Sequence, residues 1–251
     1  METFLLFYFF ILGLVLGSFL NVVGLRVPTK TLFKSSRSIC PNCKHQLSYL
    51  ELIPVFSYIF QRGKCKHCQQ HISPIYPIIE LSTGILFLFS FMRVGLTYEL
   101  ITAFLVVSLL MIVIVSDLNY MLIPNAILLF FLPLFIFVRI ISPLEPWYDM
   151  ILGAVLGYVL LALIIIISRG GMGAGDMKLI ALLGIILGWQ DVLLTFFLAS
   201  LYGTVISIAL LLTRKWDRKK MIPFGPFIAL AALTIYFFGE EIVELYISYF
   251  L

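Results

Sequence analysis

Eight apolar runs, separated by short polar breaks and one long polar loop, set the pattern of the chain. They fall at roughly Thr3–Leu25, Tyr76–Val94, Tyr98–Ser116, Pro124–Ile141, Met150–Ser168, Met177–Trp189, Val192–Leu212 and Ile222–Phe238. Most approach the ~20 residues that a helix needs to cross a bilayer. The sixth run is short: its thirteen residues rise only about 20 Å, against about 30 Å of hydrocarbon. It is therefore either a half-helix or a place where the bilayer thins. The pattern predicts an all-α polytopic membrane protein with about eight transmembrane helices. It divides into a first helix (1–25), a polar loop (26–75) and a helical bundle (76–251).

Composition agrees with that reading. Of 251 residues, 62% are hydrophobic and 12% charged, with a mean hydropathy of +1.10, which leaves too little polar surface to cover a water-soluble core. The first run lacks a basic start and is long enough to span, so it is expected to stay as a membrane helix. Charge then orients the chain. With the 26–75 loop in the cytoplasm, the seventeen Lys and Arg residues divide fifteen to two, only Arg93 and Arg139 lying outside. That matches the positive-inside rule and places both termini outside. The net charge of +4 belongs to cytoplasmic loops facing lipid, as in RKWDRKK (Arg214–Lys220), and not to a nucleic-acid face.

All four cysteines fall in the polar loop, as CPNC (Cys40–Cys43) and CKHC (Cys65–Cys68), with twenty-one residues between the two pairs. Two Cys-x-x-Cys turns can supply the four thiolates of a tetrahedral zinc site. A disulfide pair is the alternative, but the charge count puts the loop in the reducing cytosol. Four sulfurs close the coordination sphere, so the expected role of Cys40, Cys43, Cys65 and Cys68 is to fold a loop too small for its own core. The three histidines, His45, His67 and His71, lie beside these turns and read as solvated or as neighbours of the ligands.

Carboxylates within or next to membrane helices mark function by default. With the orientation above, Asp117 follows the third helix at the cytoplasmic boundary, and Asp176 opens the sixth at the same boundary, behind RGGMGAG. The macrodipole favours ionisation at a helix N-terminus and disfavours it at a C-terminus. If the two meet, one holds a proton while the other is ionised, the state an aspartyl protease needs. Gly170, Gly171, Gly173 and Gly175 would let an extended backbone approach Asp176; the plainer alternative is that Asp176 caps its helix and the glycines turn the chain.

Glu80, about one turn inside the second helix, either holds the cysteine loop against the bundle or lines a second site. Asp191, Glu240, Glu241 and Glu244 fall on the outer side and read as interfacial. Gly13/Gly17, Gly153/Gly157 and Gly184/Gly188 have the spacing of close helix contacts. A proton-coupled transporter would also carry membrane carboxylates and a short helix, but would place them near the midplane. A non-enzymatic scaffold would keep the cysteines and need neither aspartate.

Six motifs taken together resemble the type IV prepilin peptidase family, GxGD-type membrane aspartyl proteases. They are GSFLNVVGLRVP (Gly17–Pro28), the cysteine turns with LIPVFSYIFQRGKC, ISPIYPIIELSTG (Ile72–Gly84), DLNYMLIPN (Asp117–Asn125), GAGDMKL (Gly173–Leu179) and IPFGPFIA (Ile222–Ala229). The resemblance implies that Asp117 and Asp176 are the catalytic pair, with Gly173, Gly175 and Lys178 in the active-site loop. It implies a prepilin or pseudopilin substrate with a short basic leader, cut after a glycine at the cytoplasmic face of a bacterial inner or plasma membrane. It also implies, in members with the four-cysteine loop, methylation of the new N-terminal amine by S-adenosylmethionine. No Rossmann-type glycine fingerprint marks a methyl-donor site; Glu80 is the one candidate residue.

Overall fold

The computed structural model describes residues 2–32, 38–40, 42–168, 171–213 and 222–250. Gly170 and the basic stretch Arg214–Lys220, read above as turn and lipid anchor, lie outside the described residues. Among the described residues the secondary structure is helical apart from two isolated bridges, Ile39 with Gln46 and Lys64 with His71.

The helices are α1 (Glu2–Arg26), the short α2 (Phe56–Phe60), α3 (Ile75–Val94), α4 (Tyr98–Tyr120), α5 (Asn125–Ile141), α6 (Asp149–Ile167), α7 (Ala174–Leu187), α8 (Trp189–Leu212) and α9 (Gly225–Phe250). Each of the eight apolar runs has become a helix. Six of these helices, α1, α3, α4, α6, α8 and α9, are long and apolar enough to cross a membrane. The others are shorter, α5 with 17 residues and α7 with 14.

Of the boundaries that differ from the hydropathy reading, three matter most here. Helix α4 runs one turn past Ser116, so Asp117 lies inside the helix, its carbonyl accepting the Met121 N–H at 2.9 Å. Helix α7 begins at Ala174, which puts Asp176 in its first turn. Helix α9 continues from Phe238 to Phe250 because EEIVELYISYF, too polar to read as a span, still propagates the helix. Periodicity decides helix formation, whereas hydropathy decides only where lipid is tolerated.

Contacts divide the chain into two compact units, Met1–Val115 and Ser116–Leu251, the boundary falling within α4. In the first unit α1 packs on α3 through glycine. A Cβ on Gly13 would lie 2.8 Å from the Gly84 Cα, and one on Gly17 would lie 2.9 Å from the Glu80 Cα. Larger residues would push the two backbones apart. Phe87 and Phe104 stack at 4.2 Å between ring centres, and Phe9 closes on Phe104 at 5.3 Å.

In the second unit α7 is the centre, with α5, α6, α8 and α9 packed around it. Nine of its fourteen residues are buried, Asp176 and the run Leu182–Leu187 among them. A helix wrapped by protein does not have to match the thickness of hydrocarbon, which accounts for its shortness. Gly153 and Gly184 meet so closely that a Cβ on either would run into the other's carbonyl, and Gly157 sits against Ile180. The outward apolar side chains of α6 are left bare, Ile166 at 72% exposure and Ile167 at 80%, as expected of a face that meets lipid.

Candidate active site and metal centre

Asp117 and Asp176 come together in the second unit. They are 5% and 9% exposed, and each lies within electrostatic reach of the other. Two helix ends build the meeting. After α4 the chain turns at Met121, which adopts φ +52°, and the Ser116 hydroxyl donates to the Leu122 carbonyl, folding 121–124 back on the helix. Ile123 then touches the first turn of α7: a Cβ on Gly175 would lie 3.0 Å from the Ile123 Cβ. Glycine at 175 thus allows the segment after Asp117 to rest on the turn that carries Asp176.

Backbone N–H groups hold both carboxylates. Gly225, first residue of α9, donates to Asp117 Oδ2 at 2.8 Å, and a side chain there would fall 2.7 Å from the same oxygen. Gly173, the residue preceding α7, directs its N–H to the Asp176 carboxylate. A Cβ on Gly173 would lie 3.3 Å from Asp176 Oδ2. Asp176 is therefore the third residue of its helix and not the cap itself. Lys178, one turn from Ala174, gives its ammonium to Asn125 Oδ1 at 2.9 Å and ties α7 to the start of α5. The sequence named Gly173, Gly175 and Lys178 but gave no role to Gly225, Ile123 or Asn125. Gly225 had a signal, a glycine directly before a proline in IPFGPF, with Pro226 preset for a helical first turn.

Next to this site α5, α6 and α7 enclose an open apolar cavity of about 460 Å³, lined by Leu128, Leu132, Tyr158, Leu182 and Ile185, with Asn125 and Lys178 also on its wall.

In the first unit the four cysteines converge. Their sulfurs lie within 4.8 Å of one another, with Cys40 to Cys68 and Cys43 to Cys65 each at 3.9 Å. A disulfide needs about 2.05 Å, whereas a tetrahedron of Zn–S bonds of about 2.3 Å has edges of roughly 3.8 Å. The four sulfurs suit a metal ion such as zinc.

The two cysteine turns repeat one geometry. Cys40 N–H donates to the His45 carbonyl and Cys65 N–H to the Gln70 carbonyl, both at 2.9 Å. The residue after each second cysteine, Lys44 and Gln69, is left-handed at φ +59° and +56°. The Cys43 and Asn42 N–H groups draw the Cys40 thiol down to about 6. Cys43 is held up at about 11 although the His45 N–H favours its thiolate, because desolvation and the sulfurs of Cys40, Cys68 and Cys65 oppose a second charge. A divalent cation among the sulfurs would remove that repulsion.

His45 stacks on His67 at 3.6 Å between ring centres, and its Nε2 lies 3.5 Å from Glu51 Oε2. The Ser48 N–H, then its hydroxyl, hold the Glu51 carboxyl below the usual range. Glu80 accepts the Val55 N–H at 2.8 Å and so reaches the cysteine loop.

Two family models match the chain, the bacterial peptidase A24 N-terminal domain over residues 11–94 and the type IV leader peptidase family over residues 104–208. Across nearly its whole length the chain is 44% identical to a prepilin leader peptidase/N-methyltransferase of Bacillus subtilis (strain 168), covering 95% of this chain and 96% of that one. The chain belongs to the type IV leader peptidase family. It is thus an enzyme, a peptidase, and the six long apolar helices among its described residues point to a multi-pass membrane protein.

More distant relatives of the same name come from Aeromonas hydrophila, 33% identical over 96% of this chain and 93% of that one, and Pseudomonas aeruginosa, 31% identical over 95% and 92%. No solved structure matches the chain. The four cysteines lie within the stretch matched by the N-terminal family model, and both aspartates within the stretch matched by the leader peptidase model.

Proposed function

We propose that this leader peptidase is a membrane aspartyl endopeptidase that removes the basic leader of a type IV prepilin or pseudopilin after a glycine, at the cytoplasmic face of the bacterial cell membrane. In this reading Asp117 and Asp176 are the catalytic pair. One observation carries it: two carboxylates 59 positions apart share one buried spot in the second unit, each held by a glycine N–H.

In such a pair one carboxylate accepts a proton from the attacking water while the other, protonated, donates to the scissile carbonyl oxygen. Gly173 and Gly175 leave the backbone before and within the first turn of α7 bare, so an extended peptide can lie along it. Lys178, through Asn125, fixes the turn against α5. The charge asymmetry supports a cytoplasmic site and outward termini, with eight helices crossing the membrane and the prepilin's apolar helix resting among them while its basic leader stays in water. Unwinding of the cut segment at that interface is tolerable, since water and protein satisfy its backbone.

The same reading gives the chain a second activity, methylation of the amine exposed by cleavage, with S-adenosylmethionine supplying the methyl group. It rests on the relatives' name and on the cysteine loop. Zinc held by Cys40, Cys43, Cys65 and Cys68 is structural in this account, since four sulfurs leave no position for water or substrate. The three-part division into first helix, 26–75 loop and 76–251 bundle separates the metal from the aspartates. Competence, pilus and secretion pilins are all candidate substrates, and no nucleic acid is involved.

Incubating a prepilin with the protein in membranes and reading its N-terminus by mass spectrometry tests the proposal. Cleavage after the leader glycine, with one methyl group added only when donor is supplied, is the expected result. A prepilin left whole contradicts it.

A further inference from the structure

The first unit holds a polar cluster used neither by the metal centre nor by the aspartates. It is built by the glycine contact between α1 and α3. Because Gly17 lets α1 close on the Glu80 backbone, one turn along the two helices the Asn21 side chain reaches the Tyr76 backbone. Asn21 is 2% exposed, and its Nδ2 donates to the Tyr76 carbonyl at 3.1 Å. Among the described residues its buried Oδ1 has no hydrogen-bond partner. Turning the amide over gives no relief, since two carbonyl oxygens would then face each other.

Glu80, 9% exposed, accepts the Val55 N–H and the Ser18 hydroxyl, both neutral donors. Val55 stands at φ +63°, ψ −51°, at the centre of a three-residue turn closed by Phe56 N–H to the Pro54 carbonyl at 2.6 Å. β-Branched residues avoid this conformation. The turn presents its N–H to the carboxylate, and such strain gathers at ligand-binding positions. A carboxylate has about four lone-pair positions, so two donors leave Glu80 with capacity for more.

Among the described residues, a buried amide oxygen without a donor, one turn from a buried carboxylate met only by neutral donors, fits a ligand that brings both N–H groups and positive charge. We propose that Asn21 and Glu80 bind the α-ammonium of the freshly cut pilin, and that Glu80 is the base for its methylation. This rests on the second activity proposed above. The carboxylate takes one proton from the ammonium; the freed nitrogen lone pair attacks the methyl carbon of the sulfonium donor. The N–C bond forms as the C–S bond breaks, the sulfur leaves as a neutral thioether, and the product is a secondary ammonium. A sulfonium has no N–H of its own, so the unpartnered Asn21 oxygen points to the amine and not to the reacting centre of the donor.

Two measurements on purified Glu80→Gln and Asn21→Ser proteins in lipid nanodiscs test the assignment. In the first, prepilin processing is followed by mass spectrometry. The expected result is leader cleavage at the wild-type rate, with the methylated fraction down at least about ten-fold in Glu80→Gln and less in Asn21→Ser.

The second uses no donor: a fluorescent peptide copying the mature pilin N-terminus is titrated with its amine free or acetylated, alongside S-adenosylhomocysteine. Wild-type protein should prefer the free amine about ten-fold or more, both variants should lose that preference, and S-adenosylhomocysteine should bind all three alike. Methylation at the wild-type rate in Glu80→Gln, joint loss of cleavage and methylation, or a preference for the free amine that survives in Glu80→Gln would overturn the proposal. A wild-type protein that cleaves, never methylates, and yet shows a Glu80-dependent preference for the free amine would instead remove the methylation reading and keep the amine site.

Discussion

The cysteine cluster of the first unit and the aspartates of the second both gather acidic groups, the cysteines from one loop and the aspartates from two helices far apart in the sequence, but the groups are satisfied in opposite ways. The four sulfurs enclose one central point and repel each other until a cation fills it. The two carboxylates take glycine N–H groups from the periphery, at Gly225 and Gly173. A closed ligand set builds structure, because nothing can enter it. Carboxylates held from behind by backbone keep oxygens for a substrate and a water.

That contrast breaks most sharply at the aspartates. Asp117→Ala or Asp176→Ala should each lower cleavage about a thousand-fold or more, since members of a catalytic unit fail together. Bound zinc, measured by elemental analysis of the same samples, should stay at the wild-type level. A single substitution that leaves cleavage intact would separate the pair.

Cys40→Ser or Cys65→Ser should do the reverse. Loss of one buried sulfur ligand should cost zinc affinity about 100-fold or more and leave the 38–72 loop open to added protease, because a loop without a core folds on its metal. Cleavage should fall less than in the aspartate variants; equal loss would mean that the metal serves catalysis directly.

Gly175→Ala comes next. Its new Cβ, 3.0 Å from the Ile123 Cβ, must push the 121–124 segment off α7, and small misplacement of catalytic groups costs about 10- to 100-fold in rate. Gly173→Ala, with a looser 3.3 Å approach to Asp176 Oδ2, should lose less, and the ratio of the two rates checks the geometry. Lys178→Met should have the smallest effect, a fall of a few-fold in rate, since the lost bond to Asn125 only steadies the turn. A Lys178 loss as deep as that of an aspartate would give the lysine a direct part in the reaction.

Much of this was legible in the sequence, and the exceptions have physical causes. Apolar runs located every long helix because lipid demands them, but the ends of α4 and α9 were misplaced where polar residues continue a helix beyond the hydrocarbon. Asp117 was read as following its helix and lies within it. Cysteine spacing located a cluster that could hold a metal, yet the matching left-handed residues Lys44 and Gln69 were hidden, since neither lysine nor glutamine announces that backbone. GxGD drew attention to Asp176 through its glycines. The partner glycine of Asp117, Gly225, lies 108 positions away, and such a contact leaves no local periodicity to read. Asn21 was equally hidden: a lone amide in an apolar helix declares itself only when its neighbours show that half of it is unsatisfied.

The most direct test of the account is mass spectrometry of a prepilin N-terminus after incubation in membranes with the wild-type, Asp117→Ala and Asp176→Ala proteins side by side. The account predicts cleavage after the leader glycine by the wild-type protein and an intact leader with both variants. Cleavage that persists in either variant would contradict it.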